Sequence, residues 1–241
     1  MGAAVRGLTT MRRGGIGLGT RATLALGGSG TPAGRDVATN RLRLRRLLGL
    51  PGEPMWLRQV HGTRCVELHG DETPGAIEAD AAWTREPGVV CAVLTADCLP
   101  VLLAEREGRA VATAHAGWRG LAGGVLEAIV AAMPVPASRL EAWLGPAIGP
   151  HAFEVGPEVR AAFVDDDPGA DAAFRPGTGD RWHADLYRLA RRRLRALGVA
   201  RVSGGGHCTV AEADRFFSHR RDGAGAGRMA TLAWIEPPAT R

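Results

Sequence analysis

The chain has no lysine, and all 30 of its basic residues are arginine. This absence excludes a lysine Schiff base and a lysine general base from any catalytic mechanism. The net charge is only +5, and we attribute the arginine excess to compositional bias rather than to a nucleic-acid-binding surface. The densest run, residues 191–193, lies among helically spaced leucines and is interpreted as a solvated helix face. We therefore expect no nucleic-acid partner.

Cysteine is scarce, and its spacing is irregular. The four cysteines form no CxxC motif and no dense framework, so we expect free thiols in a reducing compartment. No continuous apolar run is long enough for a membrane-spanning helix, which needs about 18 residues or more. The arginine-bearing start of the chain also lacks the continuous apolar stretch of a secretory signal. We predict a cytoplasmic protein that contacts no membrane.

What the chain does contain is an alternation of apolar strands and amphipathic helices. Hydrophobic residues make up 45% of the sequence, which is enough for a sizeable core. Apolar runs predict strands at residues 55–60, 89–95, 101–104, 110–114, 140–144, 199–202 and 231–235. Helical periodicity and stop signals predict helices at residues 40–48, 121–133, 157–164 and 185–197. This mixture predicts a single α/β domain over residues 1–241, a three-layer α/β/α arrangement with a mixed sheet.

Three side chains that commonly bind metals follow predicted strands. They are His61, Cys98 and His115. If these strands are parallel neighbours, their carboxyl ends meet at one sheet edge and the three side chains converge. Two imidazoles and one thiolate form a known catalytic zinc set, with a fourth position open to water. Taken singly, each residue also has an ordinary interpretation, as a core cysteine or a surface histidine.

Asp97 directly precedes Cys98, and three roles are open to it. It can accept a hydrogen bond from a ligand histidine or act as general base for a metal-bound water. The third role is that of a turn aspartate that binds backbone N–H groups.

A glycine-rich segment, residues 117–124 (GWRGLAGG), follows His115 and leads into a predicted helix. Free N–H groups at such a start favour an anion, and Arg119 would add a two-pronged contact to phosphate or carboxylate. The alternative is that the glycines allow close packing of the helix on the sheet.

Two arginines near the carboxyl end, Arg220 and Arg221, follow a pair of phenylalanines in the segment RFFSHRRDG. Guanidinium groups beside aromatic rings suit a phosphate-bearing or nucleotide-like ligand. A buried phenylalanine pair flanked by solvated arginines is the alternative interpretation.

Seven segments together resemble one family, in the family's own order. It is the laccase-domain family, known under the names multicopper polyphenol oxidase, broad-specificity purine nucleoside phosphorylase and peptidoglycan editing factor. The segments are QVHGTRCVEL from Gln59, EADAAWT from Glu78, TADCLPVLLAE from Thr95, AHAGWRGLAGGV from Ala114, GPAIGPHAFEVGPEV from Gly145, ADLYRLARRRLRALGV from Ala184 and RFFSHRRDGAGAGR from Arg215.

The resemblance implies an α/β/α fold and a zinc held by His61, Cys98 and His115. It also implies substrate-binding roles for Arg12, in the amino-terminal arginine and glycine motif, and for Asn40 in the first helix. The chain departs from the family at residues 22–28 (ATLALGG), where members carry an asparagine-rich LNLG-like stretch. A substrate contact that this stretch supplies in other members is therefore not expected here.

The activities attached to the family set the expected function. We predict a zinc-dependent purine nucleoside phosphorylase that acts on adenosine, inosine, guanosine and methylthioadenosine, with adenosine deaminase activity, and whose partners are small molecules. In this hypothesis Cys98 is a metal ligand and not a covalent nucleophile, because a metal-bound thiolate is partly neutralised.

Three other functions remain open. An amidase would remove a wrongly added serine from a nucleotide-linked muramyl precursor. A copper-dependent polyphenol oxidase is the weakest alternative, because the chain has only seven histidines and no His-x-His pair, although a single copper centre with two histidines and a cysteine is conceivable. The last alternative is a binding protein without catalytic activity.

Overall fold

The computed structural model describes residues 4–28, 34–199 and 201–238. Its strands are β1 (Val5–Thr9), β2 (Met55–Trp56), β3 (Cys65–Glu67), β4 (Ala81–Thr84), β5 (Val90–Thr95), β6 (Leu99–Glu105), β7 (Val111–Ala116), β8 (Leu140–Leu144), β9 (Glu154–Val155), β10 (Phe174–Pro176), β11 (Trp182–Ala184), β12 (Arg201–Gly204) and β13 (Met229–Ile235). Its α-helices are α1 (Arg35–Leu48), α2 (Trp118–Gly123), α3 (Val125–Ala132), α4 (Pro157–Val164), α5 (Leu186–Ala196) and α6 (His219–Asp222).

The strands are divided among three sheets. A four-stranded sheet has the order β1-β13-β5-β2, and a six-stranded sheet has the order β12-β8-β6-β7-β4-β3. Both are mixed, because β2 pairs with β5 in parallel while β13 pairs with β5 antiparallel, and β3 is parallel to β4 while β7 is antiparallel to it. A small third sheet contains β10, β11 and β9. The predicted α/β fold class with a mixed sheet is therefore confirmed.

The two larger sheets pack against each other through alternate residues of their strands. Cys91 and Val93 of β5 contact Ala82 of β4 between the sheets. Leu102 of β6 and Ala233 of β13 share a second cluster in the same interface. The two sheets therefore form a double layer. Its strands are buried on both faces, and for this reason their sequences are continuous apolar runs rather than alternating ones.

Helices cover the outer faces of this double layer. Leu44 of α1 packs on Val90 and Leu232 of the four-stranded sheet. Helices α3, α4 and α5 cover the six-stranded sheet and form the largest core cluster with β6, β7 and β8. The charged side chains of these amphipathic helices face outward, away from the sheets.

Several element boundaries differ from the predicted ones. The expected helix at 121–133 begins earlier and is divided at Gly124, which adopts a left-handed conformation (φ +99°) between α2 and α3. The strand expected at 55–60 ends at Trp56, because the backbone beyond it turns away to bind Asp80. Of the strand expected at 199–202, residue 200 lies outside the described residues, and β12 covers Arg201–Gly204.

The arginine run at 191–193 is bound rather than simply solvated. Arg191 donates to the carbonyl oxygens of Val202 and Gly204. Arg192 forms an ion pair with Asp167, and Arg193 forms one with Glu127. The run therefore ties α5 to neighbouring elements. Within the described part of the chain, no helix is long and apolar enough to cross a membrane.

Candidate metal centre and cleft

His61, Cys98 and His115 lie together at one end of the double sheet layer. One ligand atom from each lies within 4.8 Å of the others, and Cys98 Sγ is 3.9 Å from His61 Nε2. The two imidazole rings meet edge to face with centroids 4.7 Å apart. The predicted convergence of these residues is confirmed, and the cluster could bind a metal ion.

The route by which they converge differs from the one expected. β2 and β5 are parallel, so His61 and Cys98 follow neighbouring carboxyl ends. The chain then crosses at Cys98 from the four-stranded to the six-stranded sheet, where β6 runs antiparallel to β7. This register pairs Pro100 with His115, so that His115 lies within a strand beside the start of β6. The site forms where two sheets meet, not at the edge of one parallel sheet.

The buried carboxylate of Asp80 organises two of the three side chains. Its Oδ1 accepts from the His115 Nδ1 at 2.7 Å and from the backbone N–H of His61 at 2.9 Å. Its Oδ2 accepts from the backbone N–H groups of Val60 and Gly62. Because Nδ1–H of His115 donates to this carboxylate, Nε2 is the ring nitrogen left to bind a metal, which it does after losing its proton.

These bonds also keep Asp80 ionised. Burial alone would raise the pKa of its carboxyl group, but the hydrogen bonds from His115, Gly62 and Val60 hold it below the ordinary value. The carboxylate that orients His115, a candidate ligand, is Asp80 and not Asp97.

Two glycines, Gly117 and Gly120, leave room for close packing around the candidate ligands. A Cβ on Gly117 would lie 3.0 Å from the Cys98 sulfur and 3.1 Å from Cδ2 of His61. A Cβ on Gly120 would lie 2.8 Å from the carbonyl oxygen of Gly62. The glycine-rich segment therefore lets α2 pack closely against the candidate ligands, which was the alternative interpretation of its sequence.

The cluster's electrostatics favour a thiolate. Burial raises the pKa of Cys98, but the charge of His115 and hydrogen bonds from His115 and His61 outweigh it and lower the pKa to about 6. For His115, burial lowers the pKa, while the charge of Cys98 and the bond to Asp80 raise it to about 9. The thiolate is the form in which cysteine binds metals.

Two residues of the site have backbone conformations that are uncommon outside glycine. His61 has φ +61° and Asp97 has φ +90°. Such conformations are stabilised by surrounding contacts and concentrate at functional sites. Here the three N–H bonds to Asp80 hold the turn at His61, and α6 packs on Asp97.

The Asp97 carboxylate binds the carboxyl-terminal segment. It accepts from the hydroxyls of Thr209 and Ser218 and from the backbone N–H of Arg220 at 2.6 Å. The backbone N–H of Ile148 donates to the backbone carbonyl oxygen of Asp97. The contact with the N–H of Arg220 agrees with the role of a turn aspartate that binds backbone N–H groups. Asp97 also lines the adjacent cleft, and a catalytic role for it stays a prediction.

A cleft of about 570 Å³ opens beside the cluster, within the usual range of small-molecule sites. All three candidate ligands line it. One wall is apolar and includes Ile148, Phe153 and Leu186. Further apolar groups of the lining are Leu57, Leu94, Ala96 and Trp118, and its polar side chains are Gln59, Thr95, Asp97, Arg119, His219, Arg220 and Arg228.

The predicted substrate-binding residues divide into two groups. Arg119 and Arg220 line the cleft, with their guanidinium groups over the rings of Trp118 and Phe153. Arg12, Asn40 and Arg221 do not line it.

Those three hold the framework instead. Arg12 donates to the carbonyl oxygens of Ala22 and Ala213. Fully buried Asn40 binds the backbone of Ile16, Thr23 and Ala25. Arg221 binds three carbonyl oxygens and Asp222. These bonds give the three residues a structural role, and their predicted substrate contacts stay predictions.

The lining or supporting residues that were not predicted include Asp80, Gln59 and Arg228. Asp80 and Gln59 lie in the segments EADAAWT and QVHG, but neither spacing nor periodicity distinguishes them. The Gln59 side-chain amide both donates to and accepts from the backbone of Leu94. Arg228 is the last residue of the segment RFFSHRRDGAGAGR, and its spacing does not distinguish it either. In the divergent segment 22–28, Gly28 lines the cleft, while residues 24–27 are buried.

Sequence comparison finds close relatives over nearly the whole chain. A purine nucleoside phosphorylase of Pseudomonas aeruginosa is 49% identical over 235 residues, 97% of this chain and 95% of the relative. The purine nucleoside phosphorylase YfiH of Escherichia coli is 48% identical over 231 residues, 96% of this chain and 94% of the relative.

Solved structures agree with this relationship. A Neisseria meningitidis protein superposes with a TM-score of 0.91 at 46% identity, over 98% of this chain and 99% of the other. YlmD from Geobacillus stearothermophilus superposes with a TM-score of 0.89 at 29% identity, over 97% and 92% of the two chains. A family model described as multi-copper polyphenol oxidoreductase laccase matches residues 6–236. The chain therefore belongs to this laccase-like family.

Proposed function

We propose that this protein is a zinc-dependent purine nucleoside phosphorylase. The observation that carries the proposal is the near-full-length similarity to bacterial proteins that bear this name. The cleft supports it, because candidate metal ligands, an apolar wall and arginines lie within one nucleoside-sized volume. An oxidase is less favoured, since a single group of three possible metal ligands is found among the described residues.

The donor set fits zinc. In a tetrahedral site, bonds of about 2.0–2.3 Å put neighbouring ligand atoms roughly 3.3–3.8 Å apart. The 3.9 Å between Cys98 Sγ and His61 Nε2 is close to this range, and all three ligand atoms lie within 4.8 Å of one another. The Gly117 gap beside the sulfur adds support, because it keeps this volume free of side-chain atoms. Bound zinc supplies Lewis acidity and a coordination position open to water or substrate.

The chain's own residues provide binding and orientation. The apolar wall at Ile148, Phe153 and Leu186 packs against the purine, and the arginines bind phosphate. In phosphorolysis, a phosphate oxygen bonds to C1′ of the ribose while the C1′–N9 bond breaks. The purine leaves with the bonding electron pair and takes up a proton, and ribose 1-phosphate is the other product. Adenosine, inosine, guanosine and methylthioadenosine share these reacting atoms and are the proposed substrates, with adenosine deamination as a side activity.

The first prediction concerns metal content. We expect one zinc per chain in the wild-type protein and loss of zinc when His61, Cys98 or His115 is replaced by alanine, because each replacement leaves only two ligands. Inductively coupled plasma mass spectrometry after dialysis measures the stoichiometry. Full zinc retention in all three variants contradicts the site, and strong visible absorption from copper in the native protein favours the oxidase.

The second prediction concerns Asp80. Replacing it with asparagine removes the anionic acceptor for His115 and sets an amide N–H₂ against backbone donors. We expect zinc affinity to fall by about 10- to 100-fold, measured by competition with a chelator. Asp214→Asn is the matched control, because the Asp214 side chain is 90% exposed. The zinc affinity of this variant should equal that of the wild type. Equal zinc affinity in Asp80→Asn and wild type would show that Asp80 does not organise the ligands.

The third prediction tests the activity. Zinc-loaded protein incubated with inosine should release hypoxanthine and ribose 1-phosphate only when inorganic phosphate is present, as followed by chromatography. Adenosine incubated without phosphate should yield inosine through the proposed deaminase activity. Release of serine from a nucleotide-linked muramyl serine without phosphate, with nucleosides left intact, would replace this function by the amidase.

A further inference from the structure

Arg228 is a half-buried arginine that lines the cleft directly before β13. The other two arginines of the lining, Arg119 and Arg220, are exposed. A charge in a partly desolvated site interacts more strongly with a ligand than one in bulk water. Arg228 is therefore the cationic group of this cleft with the greatest potential to bind an anion.

The guanidinium group of Arg228 has unused donors. Its Nη1 donates to the carbonyl oxygens of Ala226 and Gly227. In the described part of the chain, neither Nε nor Nη2 has a hydrogen-bond partner, and no carboxylate forms an ion pair with this residue. By contrast, both Nη atoms of Arg220 donate to the carbonyl oxygen of Glu154. A half-buried cation that makes no direct ion pair is stabilised when an anionic ligand binds it.

Arg228 also lies close to the candidate centre. Burial lowers its pKa, while the charges of Cys98 and Asp97 raise it and that of Arg21 lowers it. The group remains protonated, since arginine does not lose its proton in proteins. Asp97 makes no direct ion pair with it; the Asp97 carboxylate instead accepts from the hydroxyls of Thr209 and Ser218 and from the backbone N–H of Arg220.

From these contacts we propose that Arg228 is the oxyanion-binding residue of the cleft and holds inorganic phosphate beside the metal centre. Its Nε–H and Nη2–H groups match the two-pronged geometry by which arginine binds phosphate. The identification of the oxyanion as free phosphate rests on the proposed phosphorylase function. A nucleotide diphosphate has the same chemistry and is the competing source of the oxyanion.

The test measures binding without turnover. Zinc-loaded wild type, Arg228→Met and Arg228→Lys are titrated calorimetrically with inorganic phosphate and, separately, with uridine diphosphate. We expect Arg228→Met to weaken phosphate binding by about 10- to 100-fold, the range for a charge-assisted contact, and Arg228→Lys to weaken it less because it keeps the charge. Arg201→Met is the matched control, since Arg201 is exposed on β12. Zinc content and the thermal unfolding midpoint report whether each variant is folded.

Each outcome supports or overturns the assignment. Phosphate binding that is lost only in the Arg228 variants supports it, even if no nucleoside is cleaved, and in that case the proposed function alone fails. Phosphorolysis with an unchanged phosphate KM in a folded Arg228→Met variant overturns the assignment and leaves the function intact. Absence of phosphate binding to wild type, with Arg228-dependent binding of uridine diphosphate, also overturns it and favours the nucleotide-linked substrate.

Discussion

Four N–H groups converge on the buried carboxylate of Asp80, and the geometry of the candidate centre depends on this interaction. Three come from consecutive backbone positions around His61, and the fourth is the ring N–H of His115. One carboxylate thus fixes the left-handed turn that presents one histidine and the tautomer of the other. An unpaired buried carboxylate is costly, so these bonds also stabilise the junction between the two sheets.

The candidate metal ligands come together because the two sheets meet at this junction. Because the chain changes sheets at Cys98, the thiol faces both the turn after β2 and the end of β7. The cleft beside it combines three kinds of residue: the three candidate metal ligands, apolar side chains, and arginines for which the described part of the chain shows no ion pair. An apolar surface suits a purine and the arginines suit a phosphate, and this combination is the basis of the proposed phosphorylase function.

Sequence patterns predicted the parts of this arrangement that depend on local chemistry. Strand β8 and helix α4 match their predicted bounds because turn residues delimit each of them. The metal cluster was predictable because histidine and cysteine are restricted ligand types. Asp80 was not, since an aspartate before a strand equally suits a turn. The backbone contacts of Arg12 and Asn40 were not predictable either, because polar side chains that bind backbone and those that bind ligands look alike in a sequence.

The central claim is a metal centre of two histidines and one cysteine with an open position, and X-ray absorption at the zinc edge tests it most directly. The claim predicts one sulfur scatterer at about 2.3 Å together with nitrogen or oxygen scatterers at about 2.0–2.1 Å, including histidine imidazoles. The sulfur signal should vanish in Cys98→Ser. A first shell without sulfur in the wild-type protein, or with two or more sulfurs, would contradict the account.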